Sequence, residues 1–186
     1  MATEKKVILF VEGDTDLWFF SALLDYYRTH SKTELVPVEF CNMKGVTRYS
    51  SRLRAKLRGE LIPKARRENR KISCVCCSYD TDVFARNPQL VDWEAIRKMV
   101  KQLGVEQLVQ IGVEQMIEDW ILDDLDGVCR YLKLKQVPTS LTGRNGFEKL
   151  QNLFRRAGRD YTKGNAAREL IASLDMAIIR QKHSDC

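Results

Sequence analysis

The stretch KKVILFVEGDTD, residues 5–16, decides the fold. Its first half is a short apolar run of strand length, closed by a glycine turn at Gly13, and from Asp16 to about Arg28 the pattern changes to a helical period. Leu17, Phe20, Leu23 or Leu24, and Tyr27 fall on one stripe of that helix. Three carboxylates, Glu12, Asp14 and Asp16, stand within five residues at the end of the strand. Crowded like charges raise one another's pKa unless a cation sits among them. A metal ion is the candidate cation.

The chain repeats this alternation. A second strand is predicted over LVPVEFC, residues 35–41, with Pro37 placing it near an edge or delaying its start. After Gly45, the residues Val46, Tyr49, Leu53, Leu57 and Leu61 mark the apolar face of a helix. The third strand, KISCVCCSYD, is nearly uniformly apolar in its middle, as when helices cover both faces of a parallel sheet, and it ends on Asp80 with Asp82 two residues on. A helix from about Asp92 to Leu103, with Gly104 as its C-cap, leads to a fourth strand in VEQLVQIGV. An acidic helix over about 114–134 follows, then two helices near 147–157 and 165–181. Strands alternating with helices predict an α/β, doubly wound fold with a mainly parallel sheet of about four strands and C-terminal helices. Ligands of such sheets collect at the carboxyl ends of the strands. Both acidic clusters follow strands directly, so the fold is expected to bring Glu12, Asp80 and Asp82 to one edge.

With 186 residues, 44% of them hydrophobic, the chain is expected to form one compact domain. A formal charge of +6 suits a polyanionic partner such as nucleic acid. No segment has the order of a signal peptide and no apolar run approaches the roughly 18 residues of a membrane span, which predicts a cytoplasmic protein without membrane contact. Cys41, Cys74, Cys76, Cys77, Cys129 and Cys186 lack the paired spacing of a zinc site and read as reduced core thiols. On a strand, Cys76 points away from Cys77.

Clustered carboxylates without His or Cys are hard oxygen ligands, which favour Mg²⁺ or Mn²⁺ over zinc. Glu12 and Asp16 stand four residues apart, and Asp80 and Asp82 can send their side chains the same way from an extended segment. A plainer reading exists for each: Asp14 or Thr15 caps a helix, and Asp80 begins a side-chain turn.

VEGDTD followed some seventy residues later by YDTD resembles the TOPRIM domain of topoisomerases, bacterial primases and the overcoming-lysogenization-defect nucleases. The resemblance covers about residues 5–113. It implies one TOPRIM-like domain over 1–186, with a core of about 5–134 and a helical extension of about 135–186. It further implies that Glu12 is a metal ligand or general acid/base, that Asp80 and Asp82 are metal ligands, and that Asp16 is the second acidic residue of the nuclease branch. VEQMIEDWILDD resembles a segment of small stand-alone TOPRIM proteins in which a Glu approaches the site; this falls on Glu118, with Glu114 one turn earlier. Asp119, Asp123, Asp124 and Asp126 read instead as the solvated face of a helix whose core side is Ile117, Trp120, Ile121 and Val128. In YTKGNAAREL, Lys163 occupies the place of a lysine thought in that nuclease branch to stabilise charge on the phosphate being cleaved. It equally fits an ordinary surface lysine.

Basic residues are clustered: between Lys44 and Lys71 eleven Lys or Arg face only Glu60 and Glu68. Arg48, Arg52 and Lys56 recur at helical spacing, with Arg66 and Arg67 further on. A second group contains Arg155, Arg156 and Arg159. Such charge binds phosphate backbones without reading sequence. The reading that results is a Mg²⁺- or Mn²⁺-dependent nuclease acting on DNA or RNA. No G-x-x-x-x-G-K-[ST] occurs, so the resemblance implies a separately encoded ATPase partner, as where small TOPRIM proteins act in bacterial anti-phage systems. Two alternatives stand beside it: a non-catalytic TOPRIM-fold nucleic-acid-binding protein, and a phosphoacceptor receiver-like signalling module.

Overall fold

The computed structural model describes residues 4–164 and 167–183, so Cys186 and the expected start of the last helix at Asn165 lie outside the described residues. The fold is α/β and doubly wound, with an all-parallel four-stranded sheet in the order β2-β1-β3-β4. The strands are β1 (Glu4–Val11), β2 (Val38–Asn42), β3 (Arg70–Asp80) and β4 (Gln107–Val113). β2 starts only after Pro37 and lies at an edge, where a residue without an N–H costs the ladder least. Two compact units share the chain: one comprises the stretch ending at Gly13, Thr33–Tyr79 and Val83–Gly112, the other Asp14–Lys32, Asp80–Asp82 and the stretch from Val113 on.

In the first unit, alternate residues of the strands build a single core. Ile8 and Phe10 of β1, Cys41 of β2, and Val75 and Cys77 of β3 are buried together with Tyr49, Leu53, Leu57, Leu61 and Ala65 from the helical segment that follows Gly45. That segment comprises α2 (Arg48–Lys56), a π turn (Leu57–Leu61) and α3 (Ile62–Arg67). Pro63 supplies the cause of the wide turn, because its ring has no N–H to donate and would crowd the Gly59 carbonyl in a regular helix. Tyr49 has no exposed surface and donates its hydroxyl to the Ser78 carbonyl at 2.6 Å and the Phe10 carbonyl at 3.1 Å, tying the helix to β1 and β3. α4 (Asp82–Arg86) follows β3, and α5 (Trp93–Gln102), N-capped by the Asp92 side chain on the Ala95 N–H at 2.9 Å, adds Ile96 and Val100 to the core.

Sequence periodicity does not reveal that Lys6, on the core side of β1, is a buried cation. It pairs with Glu39 at 2.6 Å and Glu68 at 2.7 Å, and Lys64 reaches Glu39 at 2.8 Å. Burial disfavours its ammonium, yet the two carboxylates outweigh that and hold its pKa above the ordinary lysine value. The thiols are core groups. Cys77 is buried in the core, while Cys74 and Cys76 share the other alternation, with sulfurs 3.7 Å apart and no disulfide. Burial, with neighbouring Cys74 second, pushes the Cys76 thiol up to about 12.

The second unit is helical. α1 (Asp14–His30) buries Thr15, Asp16, Phe19 and Phe20, so the expected stripe through Leu17 is rotated toward Phe19. Phe19 and Phe20 meet the Trp120 ring at centroid distances of 6.0 and 6.4 Å, which explains the rotation. The predicted acidic helix over 114–134 is broken. Gln115 has a left-handed φ of 61°, so Glu114 stands outside any helix, and the segment continues as α6 (Ile117–Ile121), a 3₁₀ turn (Leu122–Asp124) and α7 (Leu125–Tyr131). Asp124 makes the second break by folding back to accept the Gly127 N–H at 2.9 Å. The assignment of Asp124 to a solvated face is also corrected: it is 1% exposed and accepts the Asp175 N–H at 2.7 Å. α8 (Gly146–Arg156), α9 (Ala167–Ala172) and α10 (Met176–Lys182) complete the unit, the last two separated where Asp175 caps α10 on the Ala177 N–H at 2.9 Å.

Candidate catalytic site

Glu118 is the most deeply placed of the candidate carboxylates. It lies in the first turn of α6 with no exposed surface, on the side that also buries Ile117, Trp120 and Ile121. Its Oε2 accepts from the Lys163 ammonium at 2.9 Å and its Oε1 from the Tyr161 hydroxyl at 3.2 Å. Burial and the adjacent Glu118 charge push the Tyr161 phenol well above its usual value, so it stays a donor. Burial works against the Lys163 ammonium, but Glu118, followed by Asp80 and Asp16, prevails and raises its pKa. Lys163 is therefore no ordinary surface lysine.

The loop carrying Lys163 is anchored next to it. Gly164 has a φ of 91°, a conformation suited to glycine, and its N–H donates to Thr15 Oγ1 at 2.8 Å. Asp16, one residue further along α1, is 6% exposed. Asp80 accepts the Ile117 N–H at 3.0 Å and so caps α6, whose own N-cap residue Met116 offers no side-chain bond. Asp16, Asp80, Glu118 and Lys163 thus belong to one electrostatic neighbourhood of the second unit.

Asp80 and Asp82 do not project from one extended segment. β3 stops at Asp80, Thr81 Oγ1 donates to the Val113 carbonyl at 3.0 Å and accepts the Gln115 N–H at 2.8 Å, and exposed Asp82 opens α4. That crosslink supplies the bend. Glu12 lies half-buried in the first unit, just past β1, where its carbonyl accepts the Gly45 N–H at 2.9 Å.

Of the candidate phosphate-binding residues, Arg52, Arg66 and Arg67 are exposed and Arg48 is half-buried, and none of the four makes an ion pair among the described residues. Lys56 lies 3.9 Å from Glu60. In the second unit Arg155 and Arg156 are exposed in the last turn of α8. Arg159 is already engaged, with its guanidinium 4.6 Å above the Tyr131 ring and donating to the Tyr131 hydroxyl at 2.8 Å. Sequence reasoning passed over Tyr161 and weighed Thr15 only as a helix cap. Tyr161 stands two residues before Lys163 in the same YTKG segment, and Thr15 lies inside VEGDTD, so both were within the motifs themselves.

The donor chemistry of Asp16, Asp80 and Glu118 fits a hard divalent ion: oxygen only, anionic and largely withdrawn from water. Of the three, Glu118 is paired with the Lys163 ammonium at 2.9 Å, and among the described residues no three His, Cys, Asp or Glu are gathered as a metal-holding group. No helix among the described residues is long and apolar enough to cross a membrane. Comparison with known proteins finds no matching family model and no matching curated protein. Among solved structures the chain is similar to the C-terminal region of the Xanthomonas campestris pv. campestris OLD protein, with 16% identity and a TM-score of 0.45, over 97% of this chain and 92% of that one.

Proposed function

We propose that this chain is a divalent-metal-dependent nuclease that hydrolyses nucleic-acid phosphodiesters. The observation that carries the reading is the Glu118–Lys163 pair, a wholly buried carboxylate facing the ammonium of a half-exposed lysine side chain in the field of Asp16 and Asp80. Sites that handle phosphate bring both signs of charge together, and perturbed groups clustered in this way mark candidate functional sites. In this reading Asp16, Asp80 and Glu118, with Asp82, would hold Mg²⁺ or Mn²⁺. Such an ion would supply Lewis-acid polarisation of the phosphodiester and activation of water for attack. Lys163 presents its ammonium to the phosphate oxygens as negative charge grows on them. Glu12 serves as ligand or as general acid/base, as the TOPRIM resemblance implies. The exposed arginines Arg52, Arg66 and Arg67, with Arg48 and Lys56 and with Arg155, Arg156 and Arg159, contribute backbone affinity. A role as effector of a bacterial anti-phage system with a separate ATPase partner is what the same resemblance implies.

A second reading, a TOPRIM-fold protein that binds nucleic acid without cutting it, is favoured by one observation: the absence of a three-ligand group among the described residues. The experiment that separates the two incubates the protein with plasmid DNA, single-stranded DNA and bulk tRNA in Mg²⁺, Mn²⁺ or chelator, beside Glu12→Ala and Asp80→Ala. Metal-dependent cutting lost in both variants supports the nuclease and names its substrate. Salt-sensitive binding that survives both substitutions, with no cutting, supports the second reading.

A further inference from the structure

Glu118 already has a cation. Its two oxygens are committed to Lys163 Nζ at 2.9 Å and to the Tyr161 hydroxyl at 3.2 Å, and no part of its side chain reaches solvent. Burying a carboxylate is costly unless it is both paired and hydrogen-bonded, as Glu118 is here. The two members of the pair differ in freedom, because 49% of the Lys163 side chain is exposed, which lets its long stem carry the charged head outward while Glu118 stays in place. The supports on either side are fixed: Tyr161 is 3% exposed, and the Gly164 N–H is held by Thr15 at 2.8 Å.

We propose that Lys163 is the resident counter-cation of the Glu118 pocket, and that a divalent ion takes Glu118 only by displacing it, which turns the ammonium outward to the phosphate. The proposal rests on the metal reading above and deepens it. A dication and an ammonium repel each other at one buried carboxylate. Metal affinity is therefore reduced by the fraction of molecules in which Lys163 occupies the pocket. A phosphate that draws Lys163 outward removes that penalty, so metal and nucleic acid each tighten the binding of the other by the same factor.

Mn²⁺ titration followed by the electron paramagnetic resonance signal of unbound Mn²⁺ tests this without reference to cleavage. Relative to the unaltered protein, Lys163→Met is expected to bind Mn²⁺ about tenfold more tightly, Lys163→Arg about equally, and Glu118→Gln more weakly. Lys163→Gln, whose amide still donates to Glu118, repeats the test in a variant that keeps the pocket's hydrogen bond, and it too is expected to bind more tightly. Unchanged or weaker binding by the neutral variants, with Glu118→Gln still impaired, overturns the competition and leaves the metal reading standing. No Mn²⁺ binding by any of the proteins overturns both.

Discussion

Glu118 and Lys163, 45 residues apart in the chain, meet at 2.9 Å with the carboxylate wholly buried. Tyr161 completes the arrangement, so removing its hydroxyl leaves one buried carboxylate oxygen without its donor. Tyr161→Phe is expected to lower stability by about 2 kcal/mol, read from urea unfolding. It is also expected to reduce cleavage, because Glu118 loses the bond that fixes its orientation. Unchanged stability would show that Oε1 finds another donor.

The anchor between Thr15 and Gly164 makes a different prediction. Only ordinary contact awaits a Cβ at Gly164, with Asp14 Cβ at 3.7 Å, so the cost of Gly164→Ala comes from its φ of 91°. About 1–2 kcal/mol is expected. Thr15→Val removes the acceptor of the Gly164 N–H together with the Thr15 bond to Tyr161, and is expected to cost about 1 kcal/mol or more. If both substitutions are neutral in thermal unfolding, the loop holding Lys163 is not fixed in this way.

Much of the fold was legible in KKVILFVEGDTD and its echoes, because strand ends announce themselves through an apolar run followed by glycine and carboxylates. Pro37 delayed β2 and the stripe from Val46 to Leu61 became the buried face of the first helical segment, both for local reasons that a sequence carries. The acidic segment after Val113 misled because its breaks depend on partners far away. Asp124 starts α7 afresh by capping it on the Gly127 N–H while also accepting from Asp175, and Asp80 caps α6 from 37 residues upstream. Lys163 was found by motif, but Tyr161, which donates to the other oxygen of Glu118, was not, since a buried tyrosine and a surface one look alike in sequence.

Asp124 offers a control for this distinction. Asp124→Ala removes acceptors for the Gly127 and Asp175 N–H groups and is expected to cost about 2 kcal/mol or more, measured by urea unfolding, with cleavage per folded molecule unchanged. Lost cleavage in folded protein would place Asp124 among the working residues.

The Lys6 network predicts how the first unit responds to pH. Lys6 is held above its ordinary 10.5, so its contribution is present below 10.5 and lost as pH rises through its raised value. Glu68, through its bond to Lys6, and Glu39, where Lys6 and Lys64 overcome burial, sit below their ordinary 4.5; their contribution is present above 4.5 and lost as pH falls. Urea midpoints are expected to fall more steeply below pH 4.5 in the unaltered protein than in Lys6→Met. At neutral pH Lys6→Met is expected to be less stable by about 3 kcal/mol. Parallel pH profiles would contradict the network's role.

The most direct test of the nuclease reading lies in Asp80, where cap and metal ligand are competing accounts of one carboxylate. Asp80→Asn keeps an oxygen for the Ile117 N–H, now accepted at 3.0 Å, while removing the charge. Single-turnover cleavage of whichever nucleic acid the protein cuts should therefore be compared between Asp80→Asn and the unaltered protein at saturating Mn²⁺, beside their thermal unfolding. The account predicts an unfolding temperature little changed and a cleavage rate lower by about a hundredfold or more. Cleavage at the original rate in a stably folded Asp80→Asn would show that Asp80 is a helix cap and nothing more.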